Sequence, residues 1–346
     1  MNDSQITIQG GTSAGDGGTS LDLHLGRVLV GAPTPAAQPL TLNKTGSDGT
    51  YFEVTTNGSA TSSIAGRYNA FQNGMTGSKS LSVGLATSTA SAGLRSGTVA
   101  IDNLDITTQG GSGVGANDAN DVVNVSFSVL DHANPSFSGS ADVNAISVDF
   151  GTITVGAPAP TFGFDLFNLP TTAGFTAGLD LDAFSGAGDV SALSTNLASF
   201  STLAAGDSRA FTASFDPSSL GSFSALYTLN FSDEDLPGAI GLGTLTLSLT
   251  GLVAATAANA DFNSDGAIDG SDFLAWQRGF GGSGGLTEGD ANGDGLVDSA
   301  DLEIWKTQFG SPSPLTTVPE PSLAYWSIVA VLAIARRRDP RVGSVH

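Results

Sequence analysis

The chain of 346 residues has no cysteine, which excludes disulfides, thiolate metal ligands and cysteine nucleophiles together. Its three histidines, His24, His132 and His346, are too scattered to form a His-x-x-x-His ligand pair. Basic residues are scarce: 12 Lys and Arg against 33 Asp and Glu leave a net charge of -21, which repels phosphate backbones and excludes nucleic acid as a partner class. Charged residues of either sign make up 13% of the chain, well below the ~25% usual for globular domains and unlike a cytosolic enzyme. Tryptophan is missing before Trp276, so the long N-terminal part lacks the indole platforms that sugar clefts commonly use. The opening MNDSQITIQGG has neither the basic nor the apolar region of a secretory signal. Beside the exported character of the rest of the chain, that points to a segment preceding Met1.

What is present is glycine, 46 residues of it, with 40% hydrophobic residues: turn-rich, yet apolar enough to fold. One phrase is repeated. Leu25-Gly26-Arg27-Val28-Leu29-Val30-Gly31-Ala32-Pro33 returns 125 residues later as Phe150-Gly151-Thr152-Ile153-Thr154-Val155-Gly156-Ala157-Pro158, and the same offset aligns Leu42 with Phe167 and Asn43 with Asn168. The repeat implies two copies of one module. Each opens on alternating apolar residues (Leu21, Leu23, Leu25; Ile146, Val148, Phe150), the period-two pattern of a half-buried strand. Further strands are predicted near 39–43, 51–55, 80–85, 97–101 and 122–130, then near 162–168, 210–215, 225–231 and 243–252. Strands at such spacing without helical periodicity predict antiparallel β-sandwiches over 21–131 and 145–254, joined by a linker at 132–144. Residues 1–20 read as an irregular start, in which Ser4 to Ile8 could close a preceding copy.

The repeated phrase and its asparagines resemble the Hydin-like and choice-of-anchor immunoglobulin-type modules of bacterial surface proteins. That resemblance implies immunoglobulin-like sandwiches and no particular activity.

Between residues 261 and 303 stand 10 of the acidic residues with one cation, Arg278. Asp261, Asn263, Asp265, Asp269 and Asp272 place oxygen side chains at positions 1, 3, 5, 9 and 12 of a loop, with Gly266 at 6 and the Ala267 carbonyl at 7. Asp290, Asn292, Asp294, Leu296, Asp298 and Asp301 repeat the set 29 residues on. Six to eight hard oxygens around a sharp glycine turn suit Ca²⁺, whereas Mg²⁺ demands a tighter octahedron and keeps more waters. Aspartate at position 12, where an EF-hand carries glutamate, is a shorter arm that requires a tighter loop. Solvated Asp-Gly turns would share the spacing. They do not explain Ile268 and Val297 at position 8, or the stripes Phe273, Trp276, Phe280 and Leu302, Trp305, Phe309, which mark a short amphipathic helix leaving each loop and read as core. These units resemble a type I dockerin over 260–310, which implies two Ca²⁺ ions and a cohesin-like partner. At the helix-start positions that contact cohesins, Gly270-Ser271 and Ser299-Ala300 match the Ser/Thr pattern only in half.

After a linker at 311–317 come Val318-Pro319-Glu320-Pro321, an apolar helix at 323–335 and Arg336-Arg337-Arg338. The order resembles a PEP-CTERM sorting signal over 318–346, which implies an exosortase-type processing enzyme. Thirteen apolar residues span about 20 Å at 1.5 Å each, short of the ~30 Å hydrocarbon core, so the tail reads as a transient inner-membrane contact of a membrane-associated precursor.

The expected protein is thus mainly β: two immunoglobulin-like sandwiches, a small α-helical EF-hand-like unit and a short C-terminal hydrophobic helix. Its expected role is non-catalytic, at the cell surface or in the extracellular matrix after processing. The other reading is a dockerin-bearing component of a polysaccharide-degrading system, bound to extracellular polysaccharide.

Overall fold

The computed structural model describes residues 4–13, 17–71, 77–107 and 119–311. The chain divides into two compact units, Met1–Ala254 and Ala255–His346. The fold is mainly β, 53% strand against 8% helix, which decides its class.

The first unit holds two sandwiches. In the first, β1 (Gln5–Ile8), β4 (Gln38–Thr45), β6 (Ala60–Ser62) and β8 (Gly77–Leu85) form one sheet in the order β1-β4-β8-β6. Facing it are β2 (Thr12–Ser13), β3 (Thr19–Leu29), β5 (Thr50–Gly58), β7 (Gly66–Phe71), β9 (Gly93–Thr107) and β10 (Asp121–Leu130), in the order β2-β3-β10-β9-β5-β7. Strict alternation explains the packing. In β10, Val123, Val125, Phe127 and Val129 all point inward against Leu42, Leu81 and Val83 of the opposite sheet. Each such side chain contributes about 1.5–3 kcal/mol by leaving water.

The second sandwich sets β11 (Pro135–Ser136), β13 (Thr161–Asn168), β15 (Leu193–Thr195) and β17 (Ser208–Phe215) against β12 (Ala145–Thr154), β14 (Leu179–Gly188), β16 (Phe200–Leu203), β18 (Gly221–Asp233) and β19 (Gly241–Ala254). Its core is richer in aromatics: Phe164, Phe211, Phe215, Tyr227 and Phe231 pack with Leu229, Leu245 and Leu247. The Tyr227 hydroxyl donates to the Leu193 carbonyl at 2.7 Å and so ties the two sheets across that core.

The strand ladders are antiparallel except for one in each sandwich, where β3 runs parallel to β10 and β12 to β19. Both parallel ladders slip at the same point of the repeat, beside Gly26 in one and Gly151 in the other. Both glycines have φ in the left-handed region, 99° and 72°, which a side chain would oppose. The shared Leu/Phe-Gly pair is therefore a bulge signature. Past the loop the repeat offset changes. Leu42 and Leu166 both point inward, as do Lys44 and Asn168, so the offset there is 124 and Asn168 takes the place of Lys44, not of Asn43. A one-residue slip exchanges the faces of a strand. Both inward groups tie loops: Lys44 Nζ donates to the carbonyls of Gly46 and Asp48, and Asn168 Nδ2 to those of Ala177 and Leu203.

Two boundaries differ from expectation. Gln5–Ile8 is no irregular start but pairs antiparallel with β4, burying Ile6 and Ile8 in the first core. The stretch 132–144 is no free linker, because it supplies β11, which pairs with β13 and buries Ser136. The short strands β2, β6, β7, β15 and β16, and the longer β14, are not predicted by the sequence pattern. Most are too short for alternation to register, and β14 is exposed over its last seven residues.

Between the sandwiches, Leu29, Leu130 and Ala177 form a small cluster with Phe175 and Leu236. Leu29 N–H donates to the Pro237 carbonyl at 2.9 Å, and Arg27 pairs with the buried Glu234.

In the second unit, α1 (Gly270–Gly279) and α2 (Ser299–Gln308) each follow an acidic loop. The sorting-tail residues Val318, Pro319, Glu320, Pro321, Arg336, Arg337 and Arg338 and the apolar stretch 323–335 lie outside the described residues. Among the described residues no helix is long and apolar enough to cross a membrane.

Candidate metal centre and docking unit

The two loops are built alike, save that Asp290 also accepts the Gly293 N–H (2.7 Å). Asp261 at position 1 accepts the N–H groups of Asp265 (3.1 Å) and Gly266 (3.0 Å). Its counterpart Asp290 accepts those of Asp294 (3.2 Å) and Gly295 (2.8 Å). At position 12, Asp272 accepts from Phe262 and Asn263 on one oxygen and from Asp269 on the other; Asp301 accepts from Ala291, Asn292 and Asp298 in the same way. Each position-12 aspartate is thus the third residue of a capping box whose N-cap is the position-9 aspartate, Asp269 or Asp298. Asn263 and Asn292 bridge to Asp265 and Asp294 at 2.9 Å, while Asp265 and Asp294 accept from the N–H of Ala267 and Leu296.

Burial divides each donor set. Asp261, Asp272, Asp290 and Asp301 are buried, at 5% exposure or less, while positions 3 to 7 and 9 are open or partly open to water. None of the four ion pairs among the described residues reaches these carboxylates. Buried carboxylates satisfied by amides alone leave their charge uncompensated, and a bound cation is the ordinary remedy. The donors are all oxygens, as Ca²⁺ prefers. Asp261 and Asp290 each keep a lone pair on an oxygen that accepts a single N–H, Oδ2. The donor chemistry fits Ca²⁺. Among the described residues, however, no three His, Cys, Asp or Glu side chains already converge on one point, because the carboxylates turn toward backbone N–H groups.

The helices lock the loops to one another. Trp276 on α1 donates its indole N–H to the carbonyl of Asp298 in the second loop (2.9 Å), and Trp305 on α2 donates to that of Asp269 in the first (3.0 Å). Ile268 and Val297 at position 8 are both buried, with Trp276, Phe262 and Ala260. Their backbones do not pair with each other: Ile268 bonds to Gly310 and Ser311, and Val297 to Gly281 and Gly282. The expected aromatic stripes hold only in part. Trp276 is buried and Trp305 half-buried, but Phe280 and Phe309 cap the helices in extended conformation and stand 56% exposed, each tilted against its own tryptophan with ring centroids 4.9 Å apart.

Sequence reasoning missed the crossed tryptophan bonds and the clamp by Gln308, which accepts from Ala260 N–H and donates to the Ala258 carbonyl. The capping boxes could have been found from Asp-x-x-Asp at 269–272 and 298–301. Ser264 at position 4 has φ of 59° where the second loop has Gly293 at 74°, a match of backbone that the residue types conceal.

Fold and site define a β-sandwich protein that carries a paired, Asp-rich loop–helix unit. That unit, residues 259–310, matches the dockerin type I domain, a family whose members bind calcium and typically dock on cohesin partners. No curated protein matches the chain. Solved structures with local similarity include a protein of unknown function from Porphyromonas gingivalis W83 (13% identity, covering 66% of this chain and 96% of that one, TM-score 0.23). A mutant of the CFA/I adhesin CfaE from enterotoxigenic Escherichia coli is similar at 10% identity over 73% and 87%, TM-score 0.32. The PapD-like domain 7 of human CEP192 is similar at 16% over 31% and 82%, TM-score 0.23. Likeness at this level bears on neither mechanism nor ligand.

Proposed function

We propose that the protein is an exported, non-catalytic component of a cell surface or extracellular matrix. In this reading the sandwiches act as spacers and ligand carriers, and the dockerin unit docks the protein on a cohesin-like partner when two Ca²⁺ ions fill its loops. The observation that carries the proposal is the duplicated set of buried carboxylates, Asp261 with Asp272 and Asp290 with Asp301, within the segment that matches the dockerin domain. The ions would be held by Asp261, Asn263, Asp265, Asp269, Asp272 and the Ala267 carbonyl, and by Asp290, Asn292, Asp294, Asp298, Asp301 and the Leu296 carbonyl. Ca²⁺ supplies the positive charge that these donors lack. The chain supplies the closed loops and the tryptophan bonds that couple them. The tail at 318–346 serves as a sorting address for an exosortase-type enzyme, with the membrane contact ending at processing.

Calorimetric titration of the full chain with Ca²⁺ tests the ion sites. Two equivalents are expected for the parent chain and one for either Asp265→Ala or Asp294→Ala. An unchanged stoichiometry in both variants would sink the assignment. Docking is tested by cohesin pull-down, where capture that survives chelation argues against the loops as its basis. The dockerin match also favours a place in a polysaccharide-degrading system, and turnover on a glycan panel would overturn the non-catalytic reading.

A further inference from the structure

The first sandwich carries an aromatic site that the docking unit does not use. Tyr68 on the edge strand β7 is the most exposed large hydrophobic side chain among the described residues, at 60%. Its backbone has φ of 61°, a conformation unfavourable for an aromatic residue. The cause is local. The pairing of β7 with β5 shifts between Phe52 and Val54, so that one residue of β5, Glu53, stands opposite two of β7. Arg67 and Tyr68 lie in that bulge, consecutive and both exposed, where a regular strand would send one to each face. Asn69 stabilises the bulge by donating its amide to the carbonyls of Gly66 (2.7 Å) and Phe52 (3.3 Å).

The bulge brings together groups of complementary chemistry. Tyr51 of β5 stands edge-on to Tyr68, with ring centroids 6.1 Å apart and planes at 86°. The Arg67 guanidinium lies 5.6 Å from the Tyr68 centroid, and its Nε is 3.0 Å from the carboxylate of Glu53. Two tyrosine rings, a guanidinium and a carboxylate therefore lie together at an exposed edge of the sheet. We propose that Tyr68 and Tyr51, with Arg67 and Glu53, form a binding platform for a neutral glycan.

Three features favour that ligand. An exposed aromatic face pairs with the apolar C–H face of a sugar ring, while the hydroxyl tip stays wet. Vicinal hydroxyls both donate and accept, and Arg67 and Glu53 offer a donor and an acceptor side by side. A proline-rich peptide would stack on the same rings, but it presents carbonyl acceptors and few N–H groups, so it offers nothing to the acceptor sites that Glu53 keeps beside its pairing with Arg67. Charge argues against polyanions. Asp102 lies opposite Glu53 in the ladder, which sets a second acidic residue beside the pair, and the whole chain is strongly acidic. A strained backbone kept at an exposed aromatic residue is a cost without benefit to the core, which accords with a ligand site.

Affinity gel electrophoresis of the full chain in native gels containing xyloglucan, mixed-linkage β-glucan, galactomannan or polygalacturonate tests the proposal. Retardation by at least one neutral polysaccharide is expected, weakened about tenfold or more by Tyr68→Gly and by Tyr51→Ala, and unchanged in Tyr227→Phe. Tyr68→Gly relieves the backbone, so its melting temperature should equal or exceed that of the parent while binding is lost. A merely structural tyrosine would lose stability instead. No retardation by any neutral polysaccharide, full binding by Tyr68→Gly, or preference for polygalacturonate or for a polyproline peptide would each overturn the proposal.

Discussion

Single residues settle how this acidic chain tolerates its own charge. Asp180 sits beside Asp182, Glu234 and Asp235, and burial first, then these neighbours, push its carboxyl above the ordinary 3.8, against a lowering hydrogen bond from Thr202 N–H. A raised value means that the folded chain holds this proton more tightly than the unfolded one. The associated stability is therefore greatest below pH 3.8 and falls as pH rises through the folded value. Asp180→Asn keeps the acceptor for Thr202 and removes the charge. Its melting temperature at pH 7 should exceed that of the parent, and the difference should vanish in scans below pH 3.8. Residue-level chemistry was partly legible in the sequence. Asp261 to Asp272 and Asp290 to Asp301 announce their loops by spacing alone, whereas Tyr68 is one tyrosine in an unmarked stretch, and only the β7 register shows why it is exposed.

Secondary elements show where pattern succeeds and where it fails. Strands with one buried face, such as β10 and β19, carry full alternation and were legible; β7 and β14, bulged or exposed, carry little. The repeat was legible too, but the one-residue offset change before Lys44 and Asn168 was not, because loop length is invisible until two inward faces can be superimposed. In the docking unit the same helix stripe has two fates: its middle residue is packed and its last falls on the cap. Trp276→Ala should cost about 3–5 kcal/mol, a large-to-small change in a small core. Trp276→Phe, which loses chiefly the bond to Asp298, should cost about 1 kcal/mol. Denaturation of the full chain followed through the second unit checks the ratio. Equal losses in the two variants would show that the indole bond, and not the packing, dominates.

At the scale of the whole molecule, the two sandwiches share one compact unit through Leu29, Leu130 and Ala177 and the pair Arg27–Glu234. Leu130→Ala should cost about 2–5 kcal/mol and uncouple them, so calorimetry should replace one transition of this unit by two. A single, merely lowered transition would place the cooperativity elsewhere. The crossed indole bonds of the docking unit carry a further consequence. Both described tryptophans lie in that unit, while Tyr51, Tyr68 and Tyr227 lie in the sandwiches. The molecule is therefore spectrally partitioned. Excitation near the red edge of aromatic absorption addresses the docking unit and Trp326 of the tail but not the sandwiches, and each indole of the docking unit is wired to the opposite loop. A change at the first loop should alter emission from the second helix. The chain carries its own optical read-out of whether its two loops act together.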